Sequence, residues 1–131
     1  MREELNITLG GQQVTLISDS DSKIDCYYIQ GWDNRKSAPT IIYCNPNGGY
    51  YEFIYYQLEM LSFYVNNGIN IFLWNYRGYG DSEGKPTPDN VAKDGVLVAN
   101  YIRNLKGTAK IGVHGESIGG LPACYIANNS Q

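Results

Sequence analysis

Gly115-Glu116-Ser117-Ile118-Gly119 sets one serine between two glycines, with Gly120 following. A serine hydroxyl attacks an acyl carbon when a base takes its proton, a carboxylate orients the base, and N–H groups receive the developing oxyanion. The spacing suits that chemistry for a steric reason. A serine thrown out of a sharp strand-to-helix turn takes strained backbone angles, and the turn closes only if its neighbours lack side chains. Gly115 and Gly119 meet that need, and Gly120 leaves room for a helix to approach a sheet. The backbone N–H of Ile118, at a helix N-terminus, is then the first expected oxyanion donor. Chance alone supplies about 0.1 such pentapeptides in a chain of this size and composition. The motif gains its force from lying between an apolar run and a helical pattern.

The second donor is expected from the loop Asn45-Pro46-Asn47-Gly48-Gly49, which follows another apolar run. Pro46 has no N–H, so the backbone amide of Asn47 is the candidate. Other patterns carry less. Gly78-Tyr79-Gly80-Asp81-Ser82-Glu83-Gly84 is spaced like a dinucleotide loop, yet Lys85-Pro86-Thr87-Pro88 interrupts the helix such a loop must enter. Gly84-Lys85 lacks the spacing of a phosphate-binding loop. Asp19-Ser20-Asp21 opens like a calcium loop but has Ile24 where Gly is needed and Gln30 where Glu closes it. No cofactor and no metal are therefore expected. The cluster Tyr50, Tyr51, Phe53, Tyr55, Tyr56 reads first as helix-on-sheet packing and second as an acyl pocket. Arg77 and Asp81 read as residues that hold their loop.

The elements that must position Ser117 follow from periodicity. Leu5 to Leu9 and Gln13 to Ser18 are β-type runs around Gly10-Gly11, a hairpin signal; Asp19-Ser20-Asp21-Ser22 is a turn, and Ile24 to Gln30 is a further strand. Thr40 to Cys44, Ile69 to Trp74 and Ile111 to His114 are short apolar runs of the kind buried on both faces. Ile54, Leu58, Leu61 and Val65 make a helical stripe stopped by Asn66-Asn67-Gly68. Val91, Gly95, Val98, Ile102 and Leu105 make a second, opened by Pro88-Asp89, and Ile118 to Ala127 starts a third helix. The fold class is α/β, one partial domain over residues 1–131. A β-rich part over 1–39 precedes a β-α-β-α-β-α core over 40–131, giving a mostly parallel sheet with an antiparallel N-terminal edge and helices on both faces.

In this order, strand, Asn45 to Gly49, helix, strand, Tyr76-Arg77-Gly78-Tyr79-Gly80-Asp81-Ser82-Glu83-Gly84, helix, strand, Gly115 to Gly120, the chain resembles the N-terminal half of an α/β-hydrolase of the esterase, lipase and serine-aminopeptidase-like kind. The resemblance runs from about Ile24 onward. Asn47 to Glu52, Leu73-Trp74-Asn75 and Ser117 to Gly120 are similar to the branch containing phosphatidylserine lipases. The resemblance implies an acyl-Ser117 intermediate and a small-molecule or lipid-like ester substrate. Two features depart from it: the oxyanion loop begins Asn45-Pro46 where His-Gly is usual, and Pro122 falls early in the last helix.

The resemblance also implies the chain order Ser, then Asp or Glu, then His. Residues 118–131 contain none of these, and the sole histidine, His114, precedes Ser117 and reads as structural. The expectation is a chain inactive alone, needing the missing C-terminal half or another chain. The alternative is a non-catalytic hydrolase-like module in a larger assembly. A net charge of −3 without a Lys/Arg run argues against nucleic acid. Three dispersed cysteines and no signal-like N-terminus point to the cytoplasm. No apolar run spans a bilayer, which leaves peripheral membrane contact open.

Overall fold

A computed structural model describes residues 11–32, 36–45, 58–107 and 109–129. The first element, β1 (Gly11–Ile17), pairs antiparallel with β2 (Lys23–Ile29), from Gly11 opposite Ile29 to Ile17 opposite Lys23. The connection is a serine-rich turn. Ser22 N–H donates to Ser18 Oγ at 3.1 Å, and Asp21 takes φ 58°, a left-handed angle that Asp tolerates. The turn between these strands thus falls at Asp19 to Ser22, where its polar residues predict it, and the hairpin expected at Gly10-Gly11 involves residues outside those described. Gly11 is the first residue of β1, and the strand expected over Leu5 to Leu9 lies outside the described residues.

Three parallel strands follow: β3 (Thr40–Cys44), β4 (Asn70–Trp74) and β5 (Ile111–Gly115). The sheet order is β1-β2-β4-β3-β5, so the antiparallel edge takes in both β1 and β2. Helix α1 (Leu58–Asn66) joins β3 to β4, and Gly68 at φ 74° ends it through Gly68 N–H to Val65 O at 3.1 Å. Helix α2 (Pro88–Lys106) joins β4 to β5, crossing over β3. Thr87 caps it by accepting from Asn90 N–H at 3.1 Å, with Pro88 at the first position, and Gly107 closes it. A 3-10 turn over Ser117–Gly119 leads into α3 (Gly120–Asn129).

Alternation along the strands divides the core. Ile24, Cys26, Ile42, Phe72 and Trp74 face Val98, Ile102 and Ile126 of α2 and α3. Tyr27, Ile29, Tyr43, Ile71 and Leu73 face Leu61 and Val65 of α1. A Cβ at Gly95 would meet Ile126 Cδ1 at 2.9 Å, so the glycine lets α3 lie close on α2. Two expectations need correction. Leu105 is 50% exposed, because the apolar stripe of α2 runs out after Ile102. Strand β5 is half-buried rather than buried on both faces, because it is the outermost strand among the described residues. Pro122 costs little: α3 starts at Gly120, so the proline sits in the first turn, where N–H groups lack intrahelical partners.

No helix among the described residues is long and apolar enough to cross a membrane. The cysteines are unpaired. Burial pushes the Cys44 thiol up to about 12 and raises that of Cys26, whereas Cys124 is exposed. Ellman's reagent is therefore expected to titrate one thiol promptly in the native protein and all three in denaturant. Prompt reaction of Cys44 or Cys26 would contradict this packing.

Candidate active site

The connections β3-α1-β4 and β4-α2-β5 run in opposite directions from β3 and put their helices on opposite faces. In open α/β sheets such a reversal leaves a crevice beyond the carboxyl ends of the diverging strands. Here those ends are Cys44 and Gly115, which are paired in register.

Ser117 stands directly beyond Gly115, solvent-exposed, with φ 53°. Ser117 and Asp21 are the non-glycine residues with positive φ among those described. For an L-residue the left-handed region costs roughly 1–2 kcal/mol, so the surrounding turn must hold the serine there. Gly119 N–H donates to Glu116 O at 2.8 Å and closes the turn, while Glu116 N–H reaches back to Cys44 O at 3.4 Å. The flanking glycines have no space for side chains. A Cβ at Gly115 would strike the carbonyl of Gly119, and one at Gly119 would strike that of Cys44. Ile118 is 49% exposed beside an apolar recess of about 290 Å³ lined by Tyr76, Tyr79, Pro86, Val91, Leu121 and Pro122. Asn47, the second expected donor, lies outside the described residues, as do Tyr50, Tyr51, Phe53, Tyr55 and Tyr56.

The first residue of that loop, Asn45, is fully described. Its side-chain Nδ2 donates to Trp74 O at 3.0 Å, and its carbonyl accepts from Tyr76 Oη at 2.6 Å. Burial raises the Tyr76 phenol further above its ordinary range and keeps it a donor. Asn45 and Tyr76 therefore tie the end of β3 to the end of β4, a pair of anchors that sequence reading passed over. The signal was present: a polar Asn directly after an apolar strand requires a partner.

The loop after β4 is fastened rather than open. Ser82 Oγ donates to Asn75 O at 2.8 Å and accepts from Asp25 N–H at 2.9 Å, and Glu83 N–H donates to Lys23 O at 2.8 Å. Gly78 N–H donates to Glu83 O at 3.2 Å, so the segment folds back on itself instead of entering a helix. Arg77 grips Asp94 of α2 with Nε at 2.7 Å and Nη2 at 2.9 Å, and reaches Asp19 and Ser20 in the β1–β2 turn. Its pKa is raised, chiefly by the hydrogen bonds to Asp94. Arg77 thus holds three segments together.

His114 does not face Ser117. It lies on the α1 side, with Nδ1 3.1 Å from Tyr64 Oη and its ring against Tyr43. Its Nε2 is 3.8 Å from Glu116 Oε1.

Comparison with known proteins places this geometry. No family model matches the chain. An uncharacterized membrane protein of Saccharomyces cerevisiae is 31% identical over 119 residues, covering 89% of this chain and 40% of that protein. Alpha/beta hydrolase domain-containing protein 17B of Homo sapiens is 30% identical over 115 residues, covering 79% of this chain and 40% of that protein. The chain thus spans about 40% of the length of these relatives. Among solved structures, an alpha-beta hydrolase from Vibrio vulnificus superposes with a TM-score of 0.77 at 29% identity, over 99% of this chain and 45% of that one. An esterase from Pyrococcus furiosus has a TM-score of 0.78 at 18% identity, over 97% of this chain and 47% of that one, a likeness of fold. With its mixed sheet, helices on both faces and strand-to-helix turn at Ser117, the chain has the fold of the N-terminal half of an α/β-hydrolase.

Proposed function

We propose that the chain carries the nucleophile of a serine hydrolase acting on ester, thioester or amide bonds. Ser117 Oγ attacks the acyl carbon, its proton passing to a base. The tetrahedral oxyanion sits against the backbone N–H groups of Ile118 and Asn47, the leaving group departs, and water hydrolyses acyl-Ser117. The observation that carries this reading is the backbone of Ser117: an exposed serine held at φ 53° between glycines that cannot accept a Cβ. A fold tolerates such a residue where its side chain has a task. The apolar recess beside Ile118 favours a substrate with an apolar acyl or leaving group, and lipid-like esters are the first candidates.

His114 is engaged on the α1 side, and residues 118–131 offer no Asp, Glu or His. The base and its carboxylate are therefore assigned to protein beyond these 131 residues, and the activity to the assembled whole. One observation favours a second reading, a non-catalytic hydrolase-like module that pairs with another chain: β5 has an outer edge without a strand partner among the described residues. A fluorophosphonate probe separates the two. In the complete native protein it is expected to label Ser117, and Ser117→Ala is expected to abolish labelling. Absence of label from the wild-type protein would overturn the hydrolase reading in favour of the module.

A further inference from the structure

A cleft of about 460 Å³ opens at the end of the sheet opposite Ser117. One wall is the segment leading into β3, with Lys36, Ser37 and Pro39. The other is the α2–β5 connection, with Lys106, Ala109 and Lys110. The two walls are joined, since Thr40 N–H donates to Lys110 O at 3.0 Å. The second is further fixed by Arg103, whose Nη1 donates to Gly107 O at 2.7 Å and to Ala109 O at 2.8 Å. Those bonds cover carbonyls beyond the C-terminus of α2 that would otherwise repel an anion.

The charge is one-sided. Three lysines line the cleft and no carboxylate does among the described residues, in a chain whose net charge is −3. Between Asp94 and Glu116 the sequence has no acidic residue at all, yet it carries Arg103, Lys106 and Lys110. Like charges gathered around one concavity repel one another, and a multiply charged anion offsets that repulsion. Lysine ammonium groups act as mobile point charges suited to phosphate oxygens, and the Ser37 hydroxyl supplies a further donor. The volume exceeds what a bare phosphate fills and admits the group that bears it.

We propose that this cleft binds a phosphate-bearing ligand between Lys36 and Ser37 on one wall and Lys106 and Lys110 on the other. The site stands on the opposite end of β5 from Ser117 and does not depend on the hydrolase reading. Phosphate on a soluble molecule and phosphate on a lipid headgroup share this chemistry, so the test has two arms. Calorimetric titration with inorganic pyrophosphate at low ionic strength probes the first. Flotation with phosphatidylcholine vesicles, with and without phosphatidic acid, probes the second. Binding in at least one arm is expected, falling as salt screens it. In Lys106→Gln/Lys110→Gln it should weaken by about tenfold or more, and in Lys93→Gln, an exposed lysine elsewhere on α2, it should not change. Pyrophosphate binding identifies a soluble ligand; binding confined to acidic vesicles identifies a headgroup. Absence of binding in both arms overturns the proposal, as does equal weakening in Lys93→Gln. Lys93 and Lys110 are exposed and Lys106 is half-buried at the end of α2, so these substitutions are expected to leave folding nearly unchanged, which thermal unfolding of each variant verifies.

Discussion

Truncation of Asp94 to alanine is expected to destabilise the protein by about 3–5 kcal/mol, the usual cost of leaving one partner of a buried ion pair uncompensated. The side chains of Arg77 and Asp94 are 5% and 2% exposed. The Asp94 carboxylate accepts two parallel bonds from the guanidinium, at 2.7 and 2.9 Å, and without them Arg77 stays charged. Asp19 does not compensate, because its side chain is 64% exposed and it meets Arg77 at 3.1 Å. Asp19→Ala should therefore cost less than about 1 kcal/mol, as exposed pairs do. Since domains of this kind are stable by only about 5–15 kcal/mol, the Asp94 loss should move the urea unfolding midpoint far down while Asp19→Ala barely moves it. Equal shifts for the two variants would show that the buried pair does not hold the loop after β4 to α2.

The three parallel strands were legible because strands covered on both faces read as continuous apolar runs. Thr40-Ile41-Ile42-Tyr43-Cys44 needs no tertiary information to be recognised. The same rule over-read β5. Ile111-Gly112-Val113-His114 has the composition of a covered strand, but its burial depends on a neighbour, and neighbours are a property of topology. The turn between β1 and β2 was legible for a local reason. Asp19 to Ser22 carries turn chemistry in its own residue types, and a Ser18 side-chain bond and a left-handed Asp21 fix it there.

Legibility of the candidate site divides in the same way. Gly115 and Gly119 were readable as a steric demand, because the demand is local to a five-residue turn, whereas Gly120 is not held by one: a Cβ there would meet nothing within 4 Å. The partner of the turn was not readable, since Gly119 packs on Cys44 and Asn45, more than seventy residues earlier in the chain. The bonds of Asn45 to Trp74 and Tyr76 were hidden for the same reason. Arg77 was correctly read as a loop-holding residue, but its bidentate grip on Asp94 joins positions whose proximity only the α2 crossover creates.

Gly119→Ala is the second substitution with a large expected effect, and it separates the backbone of the turn from the hydroxyl it presents. A Cβ at Gly119 would run into the main-chain carbonyl of Cys44 and come within 2.8 Å of that of Asn45. Neither can yield cheaply. Cys44 is held by pairing in β3, and the Asn45 carbonyl is engaged by Tyr76. The turn must therefore shift away from the sheet, at a cost of about 1–3 kcal/mol or more. A displacement of order 1 Å at a reacting group costs about a hundredfold in rate, so probe labelling of Ser117 in the complete protein should slow by at least that factor. Ser117→Ala removes the hydroxyl but leaves the turn in place, so it should lose labelling entirely while its urea midpoint stays near that of the wild type. Gly119→Ala with unchanged stability and labelling would mean that the turn is not locked against β3 and that the strained serine is not held for attack.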